Sequence, residues 1–183
     1  MTAARGLFAD RGYAGVSADD IVSAAGLTRG ALHHHFGDKA GLFRVVFEEL
    51  DAEITAELNG VVAAAPDTLG TLVAGIGAFL DICQRPEVVR IALTDAPAVL
   101  GWATWRALEA EHGLGLITGM IEQAIAEGMI TPQPPEVLAQ LVLSVTIEAA
   151  LLIAHADDPD ATRATVQPAL ITMLSGLLIR SSG

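Results

Sequence analysis

Apolar residues along this chain recur at three- and four-residue intervals, and nowhere does the pattern alternate for long enough to argue a strand. Leu7 and Phe8 face a core in a first helix over residues 1–10, which reads as cut short at its start and ends at Gly12. Leu42, Phe43, Val46, Phe47, Leu50, Ile54 and Leu58 mark one long helix over about 39–58, ended or loosened by Gly60. Pro66-Asp67 starts the next, over about 68–83, which stops before Pro86. A helix from Glu87 to about Thr94 halts at Asp95-Ala96-Pro97. A short turn around 99–102 leads into a long helix over about 105–127, closed by Gly128. Thr131-Pro132-Gln133-Pro134-Pro135 reads as a linker, and 136–155 and 161–179 as two long apolar helices. Asp157-Asp158-Pro159-Asp160 separates these two and caps the second. The pattern predicts an all-α chain of about nine helices.

The last two predicted helices are apolar on more than one side. Val137, Leu138, Leu141, Val142, Val145, Leu151, Leu152 and Ile153 populate the first, and Leu170, Ile171, Met173, Leu174, Leu177, Leu178 and Ile179 the second. Helices of this kind are buried on several sides. A second copy of the chain would bury them in a four-helix interface over residues 136–180. The alternative is that both are core helices of a single chain.

The stretch from Ser17 to Leu42 carries the densest set of local signals. Ser17 can cap a helix, with Asp20 at the capping-box position. Gly26 is free to take a left-handed turn at the end of that helix. Thr28 caps a second, short helix, and Asp38 a third that has Lys39 in its first turn. Helix, glycine-containing turn and short helix make a helix-turn-helix, whose second helix would lie in a DNA major groove.

The residues of this region resemble those of the tetracycline-repressor (TetR) family of bacterial transcriptional regulators. The carriers are Leu7-Phe8-Ala9-Asp10-Arg11-Gly12-Tyr13, Ser17 with Ile21, Ala25-Gly26-Leu27-Thr28-Arg29-Gly30-Ala31-Leu32, His35-Phe36, and Lys39 with Leu42. The resemblance covers residues 4–50 and implies a DNA-binding domain over 1–47 and a ligand-binding and dimerisation domain over 48–183. It places base-edge contacts at Thr28, Arg29, Gly30 and His33. It implies a homodimeric repressor of a double-stranded operator, released by a small-molecule effector and acting in the cytoplasm. The alternative is a dimeric small-molecule-binding protein that no longer binds DNA.

Physical chemistry gives these positions roles. Arg29 can donate a pair of hydrogen bonds to guanine O6 and N7. Gly30 lets the helix approach closely. His33 and His34 can reach phosphate or a base edge, and better when protonated. Lys39, the one lysine in the chain, can clamp a phosphate together with the amides of its helix start. Ser17 and Thr28 have hydroxyls to donate to phosphate as well as helices to cap.

Charge complicates this picture. Acids outnumber bases 22 to 10, for a formal charge of -12. Residues 1–50 carry five bases and six acids, so the N-terminal part is near neutral and most of the acid excess lies beyond it. Such a chain can present a local basic face, with modest non-specific DNA affinity.

Other chemistries find little support. His33, His34 and His35 are consecutive, and neighbours on a helix point about 100° apart, so they cannot converge on one ion. No metal site or cofactor is expected. Cys83 is the one cysteine, which excludes an intramolecular disulfide, and no base at a recognisable spacing makes it a nucleophile. No Gly-x-Ser-x-Gly or glycine-rich phosphate loop suggests an enzyme. The longest uncharged run, Ala164 to Ile179, has 16 residues, short of a membrane span. Glu109 with His112 reads as a solvated pair on one helix face. An effector pocket would be mostly apolar with a few polar anchors. Phe79, Cys83, Trp102, Trp105, Met120 and Glu148 are candidates for it, with core packing the alternative for the two tryptophans.

Overall fold

Ser17, Thr28, Asp38, Asp67 and Asp158 each stand just ahead of a helix. Each side chain accepts a hydrogen bond from the backbone amide three residues on, at 2.7–3.1 Å. These bonds satisfy amides that a helix start leaves without a partner, and they fix where five helices begin. The structure, a computed structural model, describes residues 1–179, with the side chain of His112 excepted. Its helices are α1 (Thr2–Arg11), α2 (Ala18–Ala25), α3 (Arg29–Phe36), α4 (Lys39–Ala63), α5 (Thr68–Ile82), α6 (Pro86–Val88), a π-helical segment π1 (Val89–Asp95), α7 (Ala96–Leu100), α8 (Trp102–Ala126), α9 (Pro135–Ala154) and α10 (Pro159–Ser175). Among the described residues the only β-type pairing is an isolated antiparallel bridge between Ile130 and Leu178.

The chain forms two compact units. The first combines Met1–Ile54 with Arg85–Leu108: α6 and π1 pack on α1, in the same unit as the helix-turn-helix. Phe8 and Tyr13 each meet Phe43 edge to face at its centre, their ring centroids 5.1–5.2 Å from that of Phe43. Val16, Ile21, Leu42, Val46 and Phe47 close the core around them. The second unit holds Thr55–Gln84 and the chain from Glu109 onward. There α10 and α5 pack on α9, and Ile121, Ala124, Ile130, Leu138 and Ala139 make a buried cluster.

Three sequence expectations change. First, α4 runs through Gly60 to Ala63; an exposed glycine inside a helix costs only about 1 kcal/mol. Second, Asp95-Ala96-Pro97 does not halt the chain. Proline lacks an amide and its ring presses on the carbonyl four residues back. Here the turn ahead of it widens, Ala96 N–H bonding to the Ile91 carbonyl five residues back, and Pro97 sits in the first turn of α7. The break comes at Gly101, with φ 79°. Third, α9 is 20 residues long and apolar enough, by length and composition, to cross a membrane. Half of it is buried against its own unit, as in a core helix. The Glu109–His112 pair lies outside the described residues.

Candidate nucleic-acid interface

α2 and α3 are joined by the turn at Gly26, whose φ of 64° suits glycine and little else. Leu32 on α3 is buried, which fixes that helix's rotation. Thr28, Arg29, Gly30, His33 and His34 are then all exposed. A Cβ at Gly30 would meet nothing nearer than Thr28 Oγ1 at 3.8 Å, so the fold itself does not demand glycine there. A bare helix surface at that position is available for close approach of a ligand. The Arg29 guanidinium pairs with Asp19 of α2, through Nε to Oδ1 at 2.5 Å and Nη2 to Oδ2. This bond raises the Arg29 pKa and lowers that of Asp19. His33 Nδ1–H donates to the Gly37 carbonyl at 2.5 Å, tying the ring back to the end of its own helix. Nε2 is then the ring nitrogen open to a further partner.

Two of the predicted phosphate donors are engaged within the protein. Ser17 Oγ–H donates to Asp20 Oδ2 at 2.6 Å while Oγ accepts from the Asp20 amide, so the capping box takes both its donor and an acceptor site. Lys39 Nζ donates to the carbonyls of Tyr13 at 2.9 Å and Val16 at 2.8 Å, and lies 3.8 Å from the centroid of the Tyr13 ring. Two of its three donors therefore hold the α1–α2 loop against the start of α4, and one is left for phosphate. Thr28 Oγ1 accepts from the Ala31 amide and keeps its own proton to donate.

Two further contacts join α1 and the loop after it to the α6–π1 segment inside the first unit. Arg5 donates through Nε and Nη2 to both oxygens of Glu87 at 3.0 Å, and through Nη1 to Glu53 at 2.7–2.8 Å. The Glu87 hydrogen bonds, with Glu53 behind them, raise the Arg5 pKa further above its ordinary value. The Tyr13 amide donates to Asp95 Oδ2 at 2.7 Å. Gly12, at φ 68°, brings the chain to that carboxylate; a Cβ there would stand 3.3 Å from it. Sequence reasoning missed both contacts, which bridge 82 residues of chain and have no local signature.

The six pocket candidates divide between the units. In the second, Cys83 is buried, Phe79 and Met120 are half-buried, and Glu148 is exposed. In the first, Trp102 is 65 % exposed while Trp105 is fully buried, their rings 4.9 Å apart. Trp102 and Glu148 thus lie at the surface of the single chain. The Trp105 indole N–H is buried with no hydrogen-bond partner among the described residues. A shallow open groove on α10, lined by Asp160, Arg163, Gln167, Pro168 and Ile171 among others, includes none of the six.

Comparison with known proteins agrees with this geometry. Residues 1–46 match the family described as bacterial regulatory proteins, tetR family, and residues 69–177 match the tetracyclin repressor-like C-terminal domain. A TetR-family transcriptional regulator of known structure from Pectobacterium atrosepticum superposes with a TM-score of 0.85 at 38 % identity, over 98 % of this chain and 92 % of that one. The Transposon Tn10 TetC protein of Escherichia coli is 25 % identical over 146 residues, 78 % of this chain and 72 % of its own length. The transcriptional repressor AcnR of Corynebacterium glutamicum is 43 % identical over 65 residues, about a third (34 %) of each chain.

Proposed function

The chain belongs to the TetR family of DNA-binding transcriptional regulators, and from that premise we propose how its own residues carry the activity. α3 reads operator bases through Thr28, Arg29, Gly30 and His33, with His34 at phosphate or a base edge and the remaining donor of Lys39 at phosphate. DNA binding occupies residues 1–47, and effector binding and pairing residues 48–183. The observation that carries this reading is the exposed face of α3, where Arg29 projects beside a glycine that the protein's own packing does not require.

Two copies pair through α9 and α10. Val137, Leu141 and Leu152 are 60 %, 59 % and 53 % exposed. Their spacing puts them within about 60° of one another on α9. Met173, 50 % exposed, adds an apolar position on α10. Pairing sets two α3 helices against successive half-sites, about 34–36 Å apart. The effector is a small molecule. The unpartnered Trp105 indole supports a polar anchor for it, since a buried donor without a partner is costly. An effector that binds only a mismatched spacing releases DNA by population shift, which makes the protein a repressor in the cytoplasm. α4 carries the shift, and the Arg5–Glu87 and Tyr13–Asp95 contacts give the α6–π1 segment a hold on α1 and on the loop after it.

The test is a mobility-shift titration against DNA flanking the protein's own gene. A sequence-specific shift is expected, and Arg29→Ala should cost about 1–3 kcal/mol and relax preference at one base position. Operator preference that survives Arg29→Ala would remove the role given to that residue. A second reading, a dimeric small-molecule-binding protein without DNA binding, draws on the charge of -12 and on the pairing of Arg5, Arg11 and Arg29 with acids. Absence of any specific shift would favour it.

A further inference from the structure

Arg29 does not stand alone on α3. Its partner Asp19 comes from the first turn of α2, and both side chains are open to solvent, at 74 % and 60 % exposure. The carboxylate takes the guanidinium from one side, along Nε and Nη2. A guanidinium carries five N–H donors in a single plane. This pairing uses the Nε hydrogen and one on Nη2. The other Nη2 hydrogen and those on Nη1 remain. One from each nitrogen points along the end of the plane, and that pair matches guanine O6 and N7. The ion pair therefore leaves the base-reading end of Arg29 unoccupied.

We propose that Asp19 is a specificity-determining positioning residue: it holds the Arg29 guanidinium from the side so that its end is aimed at guanine. The inference rests on the reading of Arg29 as a base-contacting residue and adds the element that orients it. An unrestrained arginine on an exposed helix has many rotamers to lose on docking. One already held in a planar two-point bond loses fewer. The pair is also close to neutral, so its contribution to binding is directional hydrogen bonding and not charge. Asp19 thus has two opposite effects. It sharpens the choice of base, and it lowers affinity for DNA in general by placing a negative charge beside phosphates.

Those opposite signs make the test decisive. Wild-type full-length protein selects duplexes from a randomised double-stranded pool. Single-base variants of the selected duplex, and one unrelated duplex, are then titrated with wild type, Asp19→Asn, Arg29→Ala and the double variant. Thermal unfolding confirms that each is folded, and Asp19→Ser replaces Asp19→Asn if that variant is not. Arg29→Ala is expected to flatten preference at one base pair of each half-site. Asp19→Asn should lower preference for guanine at that same base pair about tenfold. It should also tighten binding to the unrelated duplex and steepen the salt dependence by about 1. In the Arg29→Ala background it should change preference no further. If Arg29→Ala flattens that position and Asp19→Asn leaves it sharp, the positioning role of Asp19 is overturned and the role of Arg29 stands. If Arg29→Ala changes no preference, both fall together.

Discussion

Lys39 and Ser17 show how side chains with apparent DNA chemistry are first employed in holding the fold. The Lys39 ammonium bonds two carbonyls of the α1–α2 loop and rests on the Tyr13 ring. Hydrogen bonds from a charged donor contribute about 1.5–3 kcal/mol. Lys39→Met should therefore lower stability by about 2 kcal/mol in denaturant titration. Unchanged stability would remove that structural role, whereas a salt slope reduced by about 1 marks the phosphate contact of its remaining donor. Asp20 is pulled from an ordinary value of 3.8 down to about 2, first by the Ser17 hydroxyl, then by the Ser17 amide and Arg11. A carboxyl lowered on folding stabilises the protein above its ordinary value, and that contribution vanishes as pH falls through its folded value. The difference in Tm between wild type and Asp20→Ala should thus be full near pH 6 and close between about pH 4 and 2. The Ser17–Asp20 pairing was legible because a capping box is local. Its consumption of the Ser17 donor was not, because residue type gives no hydroxyl direction.

Helix starts were the most legible elements, since a cap needs only its own residue and the amide three positions on. Their ends and interruptions were less so. A wider turn can absorb Pro97, and packing can carry α4 past Gly60, and neither outcome is written in local propensity. The α1–α2 connection depends on a glycine for a reason only the fold reveals. Gly12 combines a φ of 68° with close approach to Asp95, and the next amide bonds that carboxylate. Gly12→Ala should cost about 1–2 kcal/mol of stability, from backbone strain alone. Thermal unfolding would show it as a lowered Tm, and a wild-type Tm would mean the connection relaxes freely.

The two-unit division of the whole molecule was only partly readable. Apolar spacing gave the long helices, yet it gave no sign that Arg85–Leu108 joins the helix-turn-helix, because the partners lie far off in sequence. The apolar excess of α9 was legible as a quantity. The structure resolves it into a buried side, with Leu138, Leu143, Ile147 and Ile153, and an exposed stripe interrupted by Glu148. If the stripe is the pairing surface, Leu141→Glu should convert the dimer to monomer at micromolar concentration in sedimentation equilibrium. Operator affinity should fall with it, since two half-sites are no longer engaged together. A dimer that survives Leu141→Glu would place the interface elsewhere.

The held position of Lys39 has a consequence for chemical labelling. It is the one side-chain amine in the sequence, so acylating reagents have a single lysine to find, and that amine is hydrogen-bonded and half-covered in the folded state. Its acylation rate is set by how often the loop from Tyr13 to Val16 lets go of α4. The chain therefore contains a native reporter of local opening in its helix-turn-helix, readable by peptide mass as one added group on Lys39.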